Sequence, residues 1–280
     1  MGVETFELGV IGGGNMSKAI IASATASGFL RTEQIVVAEP LAERRAELGE
    51  TLGVACVAEN LVAGRCRRVM LAVKPQVMSG VLSAGLAEVI SGETLVISIA
   101  AGVSSAFLYE KLCGRGRVVR VMPNTPIMVG AGASAICPGP RATSADLSWT
   151  RELFAAGGLV VEVEEKLIDA VVAVSGSGPA YFFYLFEAMI TAGVAEGLDR
   201  ATATQLAVAT CSGAAKLQAQ TGQDPAELRR QVTSPGGTTQ RAIETLDTAG
   251  VQESLVKAFR ACAQRSREIG KQESTDYTDF

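Results

Sequence analysis

The chain has 280 residues, 48% of them hydrophobic and 19% charged, with a mean hydropathy of +0.27; that is enough apolar surface for one large core or two smaller ones and excludes a disordered or fibrous chain. Lysine and arginine number 25 against 29 acids, a net charge of -4 with a pI near 5.2, which argues against a polyanion-binding surface, so nucleic acid is not an expected partner. The chain has no histidine, so Ser-His-Asp and Cys-His nucleophiles, a histidine base and a His-rich metal site are excluded, and chemistry must rest on Lys, Tyr, carboxylates, hydroxyls, thiols or a cofactor.

The six cysteines, Cys56, Cys66, Cys113, Cys137, Cys211 and Cys262, are scattered without a C-x-x-C pair. They read as small buried hydrophobes in a reducing compartment, with no metal site among them. The N-terminal segment, with Glu4 and Glu7 ahead of its first apolar run, lacks the pattern of a signal peptide, and the most apolar later stretch, Pro179–Phe186, is cut by Glu187 short of the roughly 20 residues of a membrane span. A cytoplasmic protein that engages no membrane is the expectation.

Up to about Glu165, short β-rich runs alternate with helical patterns: Leu8–Ile11 then Ser17–Ser27, Ile35–Ala38 then Leu41–Leu52, Val69–Val73 then Val77–Ile90, and Thr94–Ile99 then Ser104–Leu112. Such alternation predicts βαβ units and a parallel sheet covered on both faces. Further strands are expected at Val118–Met122, Ala133–Ile136 and Leu159–Val163, with a helix over Ser144–Ala155, extending the edge of this doubly wound domain. From about Lys166 the period becomes helical: Ile168–Val174, Ala180–Glu196, Ala201–Ala219, Pro225–Val232, Thr238–Thr248 and Val251–Glu268. The expected organisation is therefore residues 1–165, an all-α domain over 166–270, and a loose polar tail over 271–280. The helical segments are too rich in Ala and other apolar residues for a single layer to cover, which points to burial between chains.

The strongest local motif, Gly12-Gly13-Gly14-Asn15-Met16-Ser17, follows a strand and opens a helix. Gly12 suits a tight turn, Gly14 lets backbone approach a pyrophosphate, and the helix-start amides face the phosphates, so a dinucleotide is the expected cofactor. Ser17 stands where a third Gly or Ala is usual. Glu39, at the end of the second strand, is placed to accept hydrogen bonds from the adenosine ribose and on its own favours NADH; Arg44 and Arg45 either offset its repulsion of a 2'-phosphate or are solvated charges. Two further strand ends face the same crevice, Ala72-Val73-Lys74-Pro75 with its cation and Ala100-Ala101-Gly102, small enough for a ring to lie against backbone. In Met122-Pro123-Asn124-Thr125-Pro126, Asn124 either bonds a ligand or caps the turn. In the helical half, Ser234-Pro235-Gly236-Gly237-Thr238-Thr239 offers amides and hydroxyls at a helix start, a receptor for a small carboxylate or else an ordinary cap. Ser175-Gly176-Ser177-Gly178-Pro179 reads as a hinge, a packing turn or a pocket wall.

In this order, together with Glu164–Ala170 and the residues Ala180-Tyr181 and Val232-Thr233 flanking two of the motifs, the set resembles pyrroline-5-carboxylate reductase over nearly the full length, up to about residue 268. The resemblance implies a Rossmann-type domain followed by an all-α dimerisation domain, with active sites at the dimer interface of a homodimer and, in many members, rings of dimers. It further implies reduction of a small cyclic imine by NADPH or NADH to give L-proline. By motif position the substrate carboxylate would meet Ser234 and the amides of Gly236 and Gly237 within the bend that also holds Pro235 and Thr238, and the Thr239 hydroxyl would lie near the ring nitrogen. Gly12, Gly14, Asn15, Met16, Glu39, Asn60, Val73, Lys74, Pro75, Ala100, Ala101, Gly102 and Asn124 would form the cofactor site. Glu39 departs from relatives that carry Ser or Arg at the second-strand end, so the resemblance leaves the choice of cofactor open. Reduction of a protonated imine needs orientation more than acid–base catalysis, which fits a chain without histidine. The competing readings are a reductase of the β-hydroxyacid type with Lys74 as acid, and a non-catalytic dinucleotide-binding redox sensor, which would leave the Ser234–Thr239 bend unexplained.

Overall fold

The computed structural model describes residues 6–275, the side chains of 271–275 excepted. By contacts the described chain divides into two units, one formed by residues up to 177 together with those from 262 onward, the other by 178–261. This division differs from the expected break at 165/166: Ile168, Val172 and Cys262 pack with Ala135 and Cys137 of the sheet, and Ile269 lies against Gly102.

The first unit is built on one eight-stranded sheet: β1 (Leu8–Ile11), β2 (Ile35–Ala38), β3 (Ala55–Val57), β4 (Arg68–Leu71), β5 (Leu95–Ser98), β6 (Arg117–Met122), β7 (Gly132–Pro138) and β8 (Gly158–Glu162), in the order β3-β2-β1-β4-β5-β6-β7-β8. Helices alternate with the strands: α1 (Asn15–Ala26), α2 (Ala42–Leu52), α3 (Asn60–Gly64), α4 (Pro75–Val81), α5 (Ala87–Val89), α6 (Ser105–Lys111), α7 (Ser144–Ala155) and the short α8 (Ile168–Val171). Strands β1, β2 and β5 are buried along their whole length, as strands covered on both faces must be. Their alternate side chains feed two separate cores, one with Leu8, Val10, Ile35, Val37 and Ile97, the other with Ile11, Val36, Ala38 and Val96.

Four features depart from the expected pattern. β6 and β7 pair antiparallel; only residues 123–131 separate them, too few for the dozen or more that a parallel crossover requires. β3 has three residues at the sheet edge and is partly exposed, too little apolar patterning to be read. The helix expected over Val77–Ile90 is broken by non-helical backbone at Ala84 and Gly85. The C-terminal helix α13 (Val251–Thr275) continues past Glu268, so the first half of the expected tail is helical, and residues 276–280 lie outside those described.

The second unit contains α9 (Gly178–Ala195), α10 (Arg200–Thr221), α11 (Pro225–Gln231), α12 (Thr238–Thr248) and the first part of α13. Asp199 accepts the Thr202 N–H at 2.9 Å and Asp224 the Ala226 N–H at 2.8 Å, side-chain caps that start α10 and α11. Tyr181 stacks on Phe259 with ring centroids 4.6 Å apart. Much of the apolar surface here stays outside: Phe182, Phe183 and Tyr184 are 54%, 58% and 76% exposed in the single chain.

Candidate active site

The residues assigned to a nucleotide lie at the carboxyl ends of β1, β4, β5 and β6, where open α/β sheets bind ligands. β1 is the switch point, with β2 on one side and β4 on the other. Gly12 turns the chain there with φ of +104°, and a Cβ at this position would stand 2.8 Å from the Ala72 carbonyl and 3.0 Å from Val73 Cγ1, so the ends of β1 and β4 touch only because Gly12 has no side chain. Gly14 faces the other way: nothing of the chain lies within 4 Å of where its Cβ would be. It precedes α1, whose first intrahelical bond runs from the Lys18 N–H to Gly14 O at 3.0 Å, so the amides of Asn15, Met16 and Ser17 are free to point at an anion. This open backbone and donor set fit the pyrophosphate of a dinucleotide. Ser17 does more than remain small. It is buried, and its hydroxyl donates toward Gly12 O at 2.7 Å and Gly14 O at 2.8 Å, bracing the turn from below.

Of the other residues assigned to this half, Asn60 opens α3, Lys74 is exposed at the start of α4 with Pro75 behind it, and Ala100 is buried beside the half-buried Ala101. Gly102 is backed by α13, since a Cβ on it would stand 2.6 Å from Ile269 Cγ2. Asn124 is buried and largely committed: its Oδ1 accepts the Ala133 N–H at 2.8 Å and its Nδ2 donates to Ser175 O at 3.0 Å, tying β7 and the helical turn at Ser175 to the end of β6 and leaving one amide proton for a ligand. Sequence reasoning missed this tether because its partners lie 9 and 51 residues away.

Glu39 has protein partners that its place in the sequence does not show. It is 5% exposed, and its two carboxylate oxygens accept the Gly13 N–H at 3.0 Å and the Leu41 N–H at 3.1 Å. Arg45 Nη1 donates to the carbonyls of Glu39 and Pro40 at 2.8 and 2.7 Å, whereas Arg44 is exposed.

The second donor set is the bend before α12. The Gly236 N–H donates to Gln240 Oε1 at 2.7 Å and the Gly237 N–H to Ser234 O at 3.0 Å, so the two amides expected to meet a carboxylate are engaged within the bend. The donors that remain are the amides of Thr238, Thr239 and Gln240, ahead of the first intrahelical bond from the Arg241 N–H to Gly237 O, and the hydroxyls of Ser234, Thr238 and Thr239. An anion that recruited Gly236 would have to displace the Gln240 side chain.

Burial pushes the Cys66 thiol up to about 11 and Cys137 up to about 12, so both stay protonated near neutral pH. Among the described residues no three His, Cys, Asp or Glu side chains form a metal-binding group.

Residues 165–269 match the family described as pyrroline-5-carboxylate reductase dimerisation, and residues 7–102 the family described as NADP oxidoreductase, coenzyme F420-dependent. A pyrroline-5-carboxylate reductase of Methanosarcina acetivorans is 42% identical over 270 residues, covering 96% of this chain and 100% of that protein. The chain belongs to the pyrroline-5-carboxylate reductase family. Its fold agrees with solved members: that of Coxiella burnetii superposes with a TM-score of 0.87 at 35% identity, covering 95% of this chain and 98% of the other. That of Plasmodium falciparum, solved with NADP bound, also gives 0.87, at 28% identity, covering 96% and 100%. The two donor sets fall one in each matched region: the glycine turn within 7–102, the Ser234–Thr239 bend within 165–269.

Proposed function

We propose that this chain is a pyrroline-5-carboxylate reductase, reducing the C=N bond of the cyclic imine 1-pyrroline-5-carboxylate with NAD(P)H to give L-proline, the last step of proline biosynthesis. The observation that carries this reading is the match, over 96% of this chain and the full length of the relative, to a reductase of that name. The chemistry that a bound nicotinamide supplies is hydride for the imine carbon. The chain supplies placement. The α1 amides behind Gly14 hold the pyrophosphate, and the backbone of Ala100–Gly102 gives a flat wall for a ring. The open end of α12 holds the substrate carboxylate through its dipole and free amides. The Thr239 hydroxyl, on the first turn of that helix, orients the ring nitrogen, and the proton that nitrogen carries makes the carbon electrophilic without a catalytic acid. Orientation of two bound reactants can contribute up to about 7–11 kcal/mol. Purified protein with the imine should oxidise NADPH or NADH; no turnover with either would overturn the reading.

Thr239→Ala should lower kcat/KM for the imine about tenfold, the order of one lost hydrogen bond, while Kd for the cofactor stays within a factor of about two by fluorescence titration. A large loss of cofactor binding would contradict the role given to the hydroxyl.

The assembly we propose is a homodimer through the helical domain, with rings of dimers built from it, in the cytoplasm, where the six free cysteines stay reduced. The helical run Glu165–Ala195 is, by length and composition, long and apolar enough to cross a membrane, so the expectation from Glu187 does not exclude a span. Its exposed Phe182, Phe183 and Tyr184 fall within the matched dimerisation region, and a second copy rather than lipid would cover them. Sedimentation in detergent-free buffer should give a dimer or a multiple of it; a monomer would count against this assembly.

A further inference from the structure

We propose that Glu39 is a positioning residue for the nucleotide turn and does not select between NADH and NADPH; this rests on the cofactor-binding part of the reading above. Each carboxylate oxygen has two acceptor lone pairs, and each of those on Glu39 gives one to the protein: Oε2 accepts the Gly13 N–H, in the middle of the glycine turn, and Oε1 accepts the Leu41 N–H, in the turn between β2 and α2. One side chain thus ties the glycine turn, 26 positions before it, to the turn that follows β2. The tie is sheltered, because Glu39 is 5% exposed. Bonds from amides to an ionised acceptor are among the stronger ones, and burial protects them from competition by water. The packing around Gly13 is correspondingly tight, with Leu48 Cδ1 2.5 Å and Glu39 Oε2 3.1 Å from where a Cβ would stand.

A cation stands on the same turn: the Arg45 guanidinium is held by the backbone carbonyls of Glu39 and Pro40. With that cation present at the end of β2, we expect removal of the carboxylate to loosen the site for both cofactors alike.

The test is the dissociation constant of NADH and of NADPH, by nucleotide fluorescence with no imine present, for the parent, Glu39→Gln, Glu39→Ala and Glu39→Asp. In Glu39→Ala, Kd should rise about tenfold for both cofactors and their ratio should stay within a factor of about two. Glu39→Gln keeps one acceptor and should fall between parent and Ala, while Glu39→Asp, with both acceptor oxygens, should recover part of the loss. Steady-state rates should show the effect in KM for the cofactor, with kcat at saturating cofactor and KM for the imine unchanged, a split that general unfolding would not produce. A ratio that moves several-fold toward NADPH in Glu39→Ala or Glu39→Gln would overturn the proposal and make Glu39 a ribose reader, and so would unchanged affinity for both. Because binding is read without substrate, a chain that binds both cofactors but reduces no imine would sink the reductase reading and leave this one standing.

Discussion

Gly14→Ala should fold like the parent and bind NADH and NADPH about 30-fold more weakly. The asymmetry between the two glycines of the turn makes the prediction specific. A Cβ on Gly12 would collide with the backbone of Ala72, and Gly12 has a left-handed φ, so substitution there disturbs the protein itself. Gly14 has φ of -75°, which any residue adopts, and no atom of the chain lies within 4 Å of the place a methyl would take. The methyl intrudes only on whatever lies against the outside of the turn. Overpacking of a close-fitted contact costs about 1–3 kcal/mol, and about 2 kcal/mol corresponds to a roughly 30-fold change in Kd. The measurement is a cofactor titration beside a thermal melt, with the melting temperature within a few degrees of the parent's, since Gly14 is the N-cap of α1, where Ala is a poorer cap than Gly. Unweakened binding would show that no pyrophosphate approaches this backbone.

The largest effect on stability is expected at Asp146. Its carboxylate accepts from Arg117 Nε at 2.8 Å and Nη2 at 3.1 Å, and from the Thr143 amide and hydroxyl at 2.9 and 2.7 Å, so one buried group pairs with the start of β6 and caps α7. Burial pushes its carboxyl up, but the bonds from Arg117 and Thr143 outweigh burial and hold it below the usual carboxylate range. Removing one member of such a pair costs about 3–5 kcal/mol; Arg117 keeps Glu93 at 2.8 Å, which places Asp146→Ala near 3 kcal/mol, the low end of that range. A carboxyl depressed in the folded state contributes stability that is complete above its unfolded value, about 3.9, and is lost as the pH falls through its folded value. The gap between parent and Asp146→Asn should therefore be wide at neutral pH and narrow in strong acid. Trp149, on the same helix and packed on Phe29 at 5.4 Å, gives a local fluorescence reading of denaturant unfolding. A gap of the same size at both ends of the pH range would show that the charge is not its source.

The placement of the residues assigned to a nucleotide, at strand ends and a helix start, was legible because it is local. Gly12 to Ser17 between a four-residue apolar strand and a helix, and the small or rigid residues ending β4, β5 and β6, announce themselves by spacing alone. The apolar excess of the 178–221 region was also readable as surface awaiting a partner. Assignments resting on a single side chain were harder. Glu39 sits where a ribose ligand would sit in the sequence, yet its oxygens are turned to Gly13 and Leu41; Asn124 is held by Ala133 and Ser175; the amides of Gly236 and Gly237 bond inside their own bend. In each case the residue type was right for a ligand, but the chain offered a competing partner that residue spacing does not show.

Composition and periodicity thus determined that this protein would be an α/β nucleotide-binding unit followed by helices, without histidine chemistry, since hydrophobic period and glycine placement act over a few residues at a time. Only the folded chain decided the reversed direction of β7, the continuation of α13 to Thr275 and the inward commitment of Glu39. These depend on which groups distant in sequence come within about 3 Å of one another, and a buried polar group bonds to the nearest partner the fold supplies, whatever ligand its position along the chain suggests.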